Sequence, residues 1–86
     1  MANHKQAIKR HRQSVKRADR NHYYEATART YLKRARQTLE DKDRTAATAA
    51  VSEASSYLDH IASKGAIPRA RASRLKSRLN TQLARL

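Results

Sequence analysis

The chain has 86 residues, with 20 Lys and Arg against seven Asp and Glu, a formal net charge of +13. That length allows one domain at most, and a charge that large repels itself in a compact chain, so it points to a polyanionic partner, nucleic acid or an anionic membrane. The absence of cysteine excludes disulfides and thiolate metal sites and fits a reducing compartment, and no apolar run approaches the roughly 18 residues of a membrane span.

Gly65 and Pro68 are the only glycine and proline. With so few breakers and so much Ala, Arg, Lys, Leu and Gln, the chain is predicted to be all-α. Charge divides it in three: +8 over residues 1–40, −2 over 41–63 and +7 over 64–86. These segments coincide with three predicted helices.

The first runs from about residue 4 to 40. Tyr24, Ala28, Tyr31, Leu32, Ala35 and Leu39 recur at the spacing of one helical face. Glu40-Asp41-Lys42-Asp43 breaks the pattern as a turn, with Asp43 placed to cap the second helix. That helix spans about 44 to 64, with the stripe Ala47, Ala50, Val51, Ala54, Tyr57, Leu58 and Ile61. Lys64-Gly65 ends it, because Gly takes the left-handed conformation past a helix C-terminus and Lys suits the negative end of the dipole. The third helix begins near Pro68, read as its first helical residue, and runs to about 86 on Ala72, Leu75, Leu79 and Leu83. Three stripes and two short turns predict an antiparallel three-helix bundle with a long, overhanging basic first helix.

The core is small. Leu, Ile and Val number 12, Phe and Trp are absent, and sixteen Ala bury little area each. A chain of this size and composition is marginal alone and is expected to gain order on binding.

On a helix at about 100° per residue, Lys5, Lys9, Arg12, Lys16 and Arg20 gather within an arc of roughly 80°, with Arg10 and Arg17 beside them. Arg10 and Arg17 also continue the bearing of the Tyr24–Leu39 stripe. The face that packs on protein in the second half is therefore charged in the first. The first helix is expected to overhang its shorter neighbours by about 20 Å, and the overhang is the basic half. Residues 4–22 are expected to fray without a partner. A second basic surface lies on the third helix: Arg69, Arg71, Arg74, Lys76 and Arg78. Asn3, Gln6, Gln13, Ser14, Asn21, Ser73 and Ser77 accompany the charge and suit phosphate or ribose oxygens, or plain solvation.

His4, His11 and His22 share a face with Ile8 and Val15, at spacings of seven and eleven, which do not suit a metal on a helix; no metal and no cofactor are expected. Tyr24, Tyr31 and Tyr57 lie on core stripes, whereas Tyr23 lies off them, where a partner can touch it. Asp59 and His60 point about 100° apart, and no Gly-rich phosphate loop or paired carboxylates occur, so no enzyme is expected. A membrane-surface helix is disfavoured because residues 4–22 hold only Ile8 and Val15 as sizeable apolar residues. A DNA-binding architectural protein is the alternative to an RNA-binding one, although neither a recognition-helix turn nor a heptad seam is present.

ANHKQAIKRHRQSVKRADRNHYY, LEDKDRTAATAAV and YLDHIASKGAIPRARASRLKSRL together resemble the bacterial-type small-subunit ribosomal protein S20 family, from Ala2 to about Leu79. The resemblance implies a three-helix bundle that binds small-subunit ribosomal RNA early in assembly, in the ribosome of a bacterial cytoplasm or an organelle. Other small-subunit ribosomal proteins are allowed as neighbours, and no homo-oligomer is expected. Carried onto this chain, the implied RNA contacts are Asn3, Lys5, Lys9, Arg10, Arg12, Gln13, Lys16, Arg17, Arg20 and Asn21, then Arg29, Lys33 and Arg34 along the same helix. Lys64 and Gly65 match the family's turn, and Arg74, Lys76, Ser77 and Arg78 its final basic motif. The family usually places Gly at about the position of Lys42, which implies a first turn that must close here without easy left-handed geometry. It has His-Lys-Asn where Pro68-Arg69-Ala70 stand, which removes a candidate Asn cap.

Overall fold

A computed structural model describes the backbone of residues 2–86 and the side chains of residues 4–86, so the Asn3 side chain falls outside the described residues. Three α-helices succeed one another: α1, Ala2–Glu40; α2, Arg44–Ser63; and α3, Arg69–Ala84. None is long and apolar enough to cross a membrane.

Glycine and proline are absent before Gly65, and nothing interrupts α1 for 39 residues, about 58 Å at 1.5 Å per residue. Its end is a tight turn. Asp41 N–H donates to the Gln37 carbonyl oxygen at 3.0 Å and Lys42 N–H to that of Leu39 at 3.2 Å. Lys42 has φ 56°. Lacking the glycine, the turn still uses left-handed backbone, and a lysine holds it at a cost of about 1 kcal/mol or more. Asp43 then caps α2, its Oδ1 accepting from Ala46 N–H at 3.2 Å.

The end of α2 is a Schellman turn. Gly65 N–H donates to Ala62 O at 3.1 Å and Ala66 N–H to Ile61 O at 3.0 Å, with Gly65 at φ 77°. A β-carbon at Gly65 would meet no atom within 4 Å, so the backbone angle alone calls for glycine. Ile67 packs back into the core. Pro68 corrects an expectation. It is the N-cap of α3 in extended conformation, φ −63° and ψ 143°, and Arg69 is the first helical residue. Proline has no side-chain acceptor, and α3 starts without a side-chain cap.

The helices run antiparallel in sequence, and α2 packs along both others. One core cluster holds Ala28, Leu58, Ile61, Ile67 and Ala72; the other holds Ala35, Val51, Ala54 and Leu79. Leu32 packs against both. Among the described residues, only Leu58, Ile61 and Val51 are sizeable side chains fully out of solvent. Alanines at the contacts let the helices approach closely but contribute little apolar area each. Tyr31 and Tyr57 stack at 4.8 Å between ring centres, closing the α1–α2 side. α1 and α3 run parallel across an open groove floored by Leu32, Leu58, Ile61 and Leu75.

The molecule extends 63 × 19 × 13 Å, and its Cα radius of gyration is 17.4 Å, against roughly 12 Å for a compact chain of this length. The excess is the first half of α1. Every side chain from His4 to Arg20 is exposed, and the bundle begins at Asn21. These 17 residues form a free rod of about 25 Å.

Candidate nucleic-acid interface

The rod carries seven basic residues and one acid, Asp19. Lys5, Lys9, Arg10, Arg12, Gln13, Lys16, Arg17 and Arg20 are all exposed. Arg10 and Arg17 point where Ala28 and Ala35 point further along, but no second helix lies alongside them. Gln13, Lys16, Arg17 and Arg20 line one shallow hollow on the rod. Such an arrangement holds flexible cations along one side of an exposed helix, able to meet phosphates.

Arg20 and Asn21 stand where the rod enters the bundle and are less free. Arg20 Nη2 donates to the Lys64 carbonyl oxygen at 3.4 Å. Asn21 is half-buried, and its Oδ1 is out of solvent without a hydrogen-bond partner. Lys64 and Gly65 are exposed at the same joint.

Further along α1, Arg29, Lys33 and Arg34 flank the packed stripe, and Arg29 and Lys33 join Arg36 around one surface hollow. The family resemblance does not supply Arg36, although the residues carry its signal: Arg29, Lys33 and Arg36 recur at spacings of four and three, one helical face. This ridge is turned about 130° around α1 from the rod's row of charges. The fold then adds α3 to it. Arg71 lines the same α1–α3 groove as Arg29, and Gln82 stands beside Arg36.

On α3, Arg69, Arg71, Arg74, Ser77 and Arg78 offer a second set of polar and cationic side chains. Arg69, Arg71, Arg74 and Arg78 are unpaired with any acid among the described residues. Lys76 is different. Its Nζ lies 2.7 Å from Asp59 Oδ1 on α2, with the lysine side chain 31% exposed. Its charge is already partnered across the α2–α3 seam. The α2 helix itself has no Lys or Arg after Arg44, so its outer face of Thr48, Ser52, Glu53, Ser56 and Asp59 breaks the positive surface. Among the described residues, no three His, Asp or Glu come together as a metal site.

The fold and surface define a class: a strongly basic, all-α protein that carries its charge on open helix rather than in a cleft. Residues 2–84 match the family model described as Ribosomal protein S20. The small ribosomal subunit protein bS20 of Trichlorobacter lovleyi is 49% identical over 79 residues, covering 92% of this chain and 91% of that one. The proteins of the same name from Pelobacter propionicus and Citrifermentans bemidjiense are each 47% identical over the same shares. The chain belongs to the ribosomal protein S20 family.

Proposed function

We propose that this protein is a structural constituent of the small ribosomal subunit, in the ribosomes of the cytoplasm, which binds small-subunit ribosomal RNA directly and stabilises its fold during assembly. Its relatives carry the name of a small-subunit protein. The observation that carries the reading is the rod: seven cations on 17 exposed residues, of which Arg20 alone reaches back to the bundle.

The mechanism is neutralisation and bridging. Each Lys or Arg that meets a phosphate releases condensed counterions, so affinity falls steeply with salt. Arginine adds two-donor grips on phosphate. A-form RNA hides its base edges in a deep, narrow major groove, so the rod reads backbone position and shape rather than sequence. Lys5, Lys9, Arg12, Lys16 and Arg20 form one row. Arg29, Lys33, Arg36, Arg71, Arg74 and Arg78 form a second surface facing elsewhere. Two cationic faces at different bearings tie together RNA segments that would otherwise repel. The uncharged and acidic face of α2 turns away from the RNA.

The test is binding to small-subunit ribosomal RNA across a salt series, with folded ribosomal RNA and duplex DNA as competitors. Arg12→Ala and Lys16→Ala should each lower the slope of log affinity against log salt by about 1. Slopes unchanged in both variants would sink the rod mechanism, and equal competition by duplex DNA would favour a general architectural role. Protection of defined ribosomal RNA positions by the co-sedimenting protein would support the assembly role.

A further inference from the structure

Tyr23 is 66% exposed, in a chain with no Trp or Phe and only four tyrosines. A single exposed apolar side chain needs no explanation in general. Its bearing is what sets this one apart. At about 100° per residue it falls inside the arc of Lys5, Lys9, Arg12, Lys16 and Arg20, one turn beyond Arg20. The same line next meets Thr27 and Thr30, whose hydroxyls donate back to the Tyr23 and Ala26 carbonyl oxygens at 3.0 and 3.3 Å. It regains charge only at Arg34, about 16 Å past Tyr23. In that gap Tyr23 is the one long side chain on the row.

The ring is also propped. Its centre lies 6.0 Å from that of Tyr24 at a tilt of 59°. Tyr24 is held edge-on against His60 at 6.0 Å, with the Arg20 guanidinium 5.9 Å from its ring centre. A phenol ring supported on one side by Tyr24, exposed to solvent and set one turn beyond the last cation of the basic row is suited to a flat, electron-rich ring attached to a phosphate chain.

Resting on the RNA-binding function proposed above, we propose that Tyr23 is a stacking platform for one unpaired nucleobase of the bound RNA, splayed out where the backbone leaves the basic row. Stacking on an aromatic ring tolerates any base, so the site selects a bulge, loop or junction rather than a sequence.

The experiment compares wild-type protein with Tyr23→Ala and Tyr23→Phe on two probes over a salt series: transcribed small-subunit ribosomal RNA and a fully paired RNA duplex. Circular dichroism establishes that both variants keep their helices, as the exposure of Tyr23 leads one to expect. Tyr23→Ala should weaken binding to ribosomal RNA by about five- to a hundredfold, with the salt slope unchanged. Tyr23→Phe should bind like wild type, and neither change should affect the duplex. The proposal is overturned if Tyr23→Ala binds as tightly as wild type, or if Tyr23→Phe loses as much, which would assign a hydroxyl contact instead. An equal loss on the duplex would also overturn it, by assigning a backbone contact. A wild-type affinity that ignores salt would count against the rod itself, and so is distinguishable from failure at Tyr23.

Discussion

Arg20 and Lys64, 44 residues apart in sequence, meet where the rod leaves the bundle: the Arg20 Nη2 donates to the Lys64 carbonyl oxygen at 3.4 Å. The carbonyl lies at the C-terminus of α2, where the helix dipole is negative and carbonyls lack intrahelical donors. Arg20 therefore serves its own fold, and the proposed function gives it a second role toward RNA.

Replacement separates them. Arg20→Ala should cost about 0.5 kcal/mol of stability in urea unfolding, because the bond is long and exposed. The same change should lower the salt slope of RNA binding by about 1. A stability loss above about 2 kcal/mol, with the slope intact, would make Arg20 a residue of the fold only.

The rod is expected to hold its helix poorly alone. Residues 4–19 are exposed throughout, and most helical stability in proteins comes from packing. Lys5 and Lys9, Arg12 and Lys16, and Lys16 and Arg20 add like-charge pairs four residues apart, each unfavourable by about 0.2–0.5 kcal/mol. Amide exchange should be fast over 4–19 in the free protein and slow once RNA is bound, with α2 protected in both. Strong protection of the rod without RNA would contradict this.

Lys42 at φ 56° is a site for stabilisation. Lys42→Gly relieves the left-handed strain and gives back part of that in chain entropy, for a net gain of up to about 1 kcal/mol. Lys42→Val should be destabilising, because branching at the β-carbon makes that conformation worse. Urea midpoints in the order Gly, Lys, Val would bear this out; a Val variant at least as stable as wild type would not.

Lys76 and Arg78 are two residues apart and should behave differently. Lys76 is paired with Asp59, while Arg78 is exposed. Arg78→Ala should lower the RNA salt slope by about 1, and Lys76→Ala by clearly less. The stability cost of Lys76→Ala should stay below about 1 kcal/mol, as for other solvent-reached ion pairs. Equal slopes for the two variants would mean that the pair opens to meet RNA.

Helix type, helix order and most helix ends are local matters, and the amino-acid sequence determined them. Asp43 as a cap, Gly65 as a stop and the stripes through Leu32, Leu58 and Leu79 each come from chemistry within a few residues. The charged rod was equally legible, because periodicity alone places its cations on one side. Arg36 was legible too, on the same rule. What the tertiary structure decided depends on where separate segments meet. A lysine shows no preference for left-handed backbone, so Lys42 took it only because α1 and α2 had to close there. Pro68 suits both N1 and the N-cap, and the path from Gly65 to α3 selected the cap. The pairing of Lys76 with Asp59, the reach of Arg20 to Lys64 and the joining of Arg29 with Arg71 across one groove are contacts between helices. Their partners lie 17 to 44 residues apart, and no periodicity within one helix encodes them.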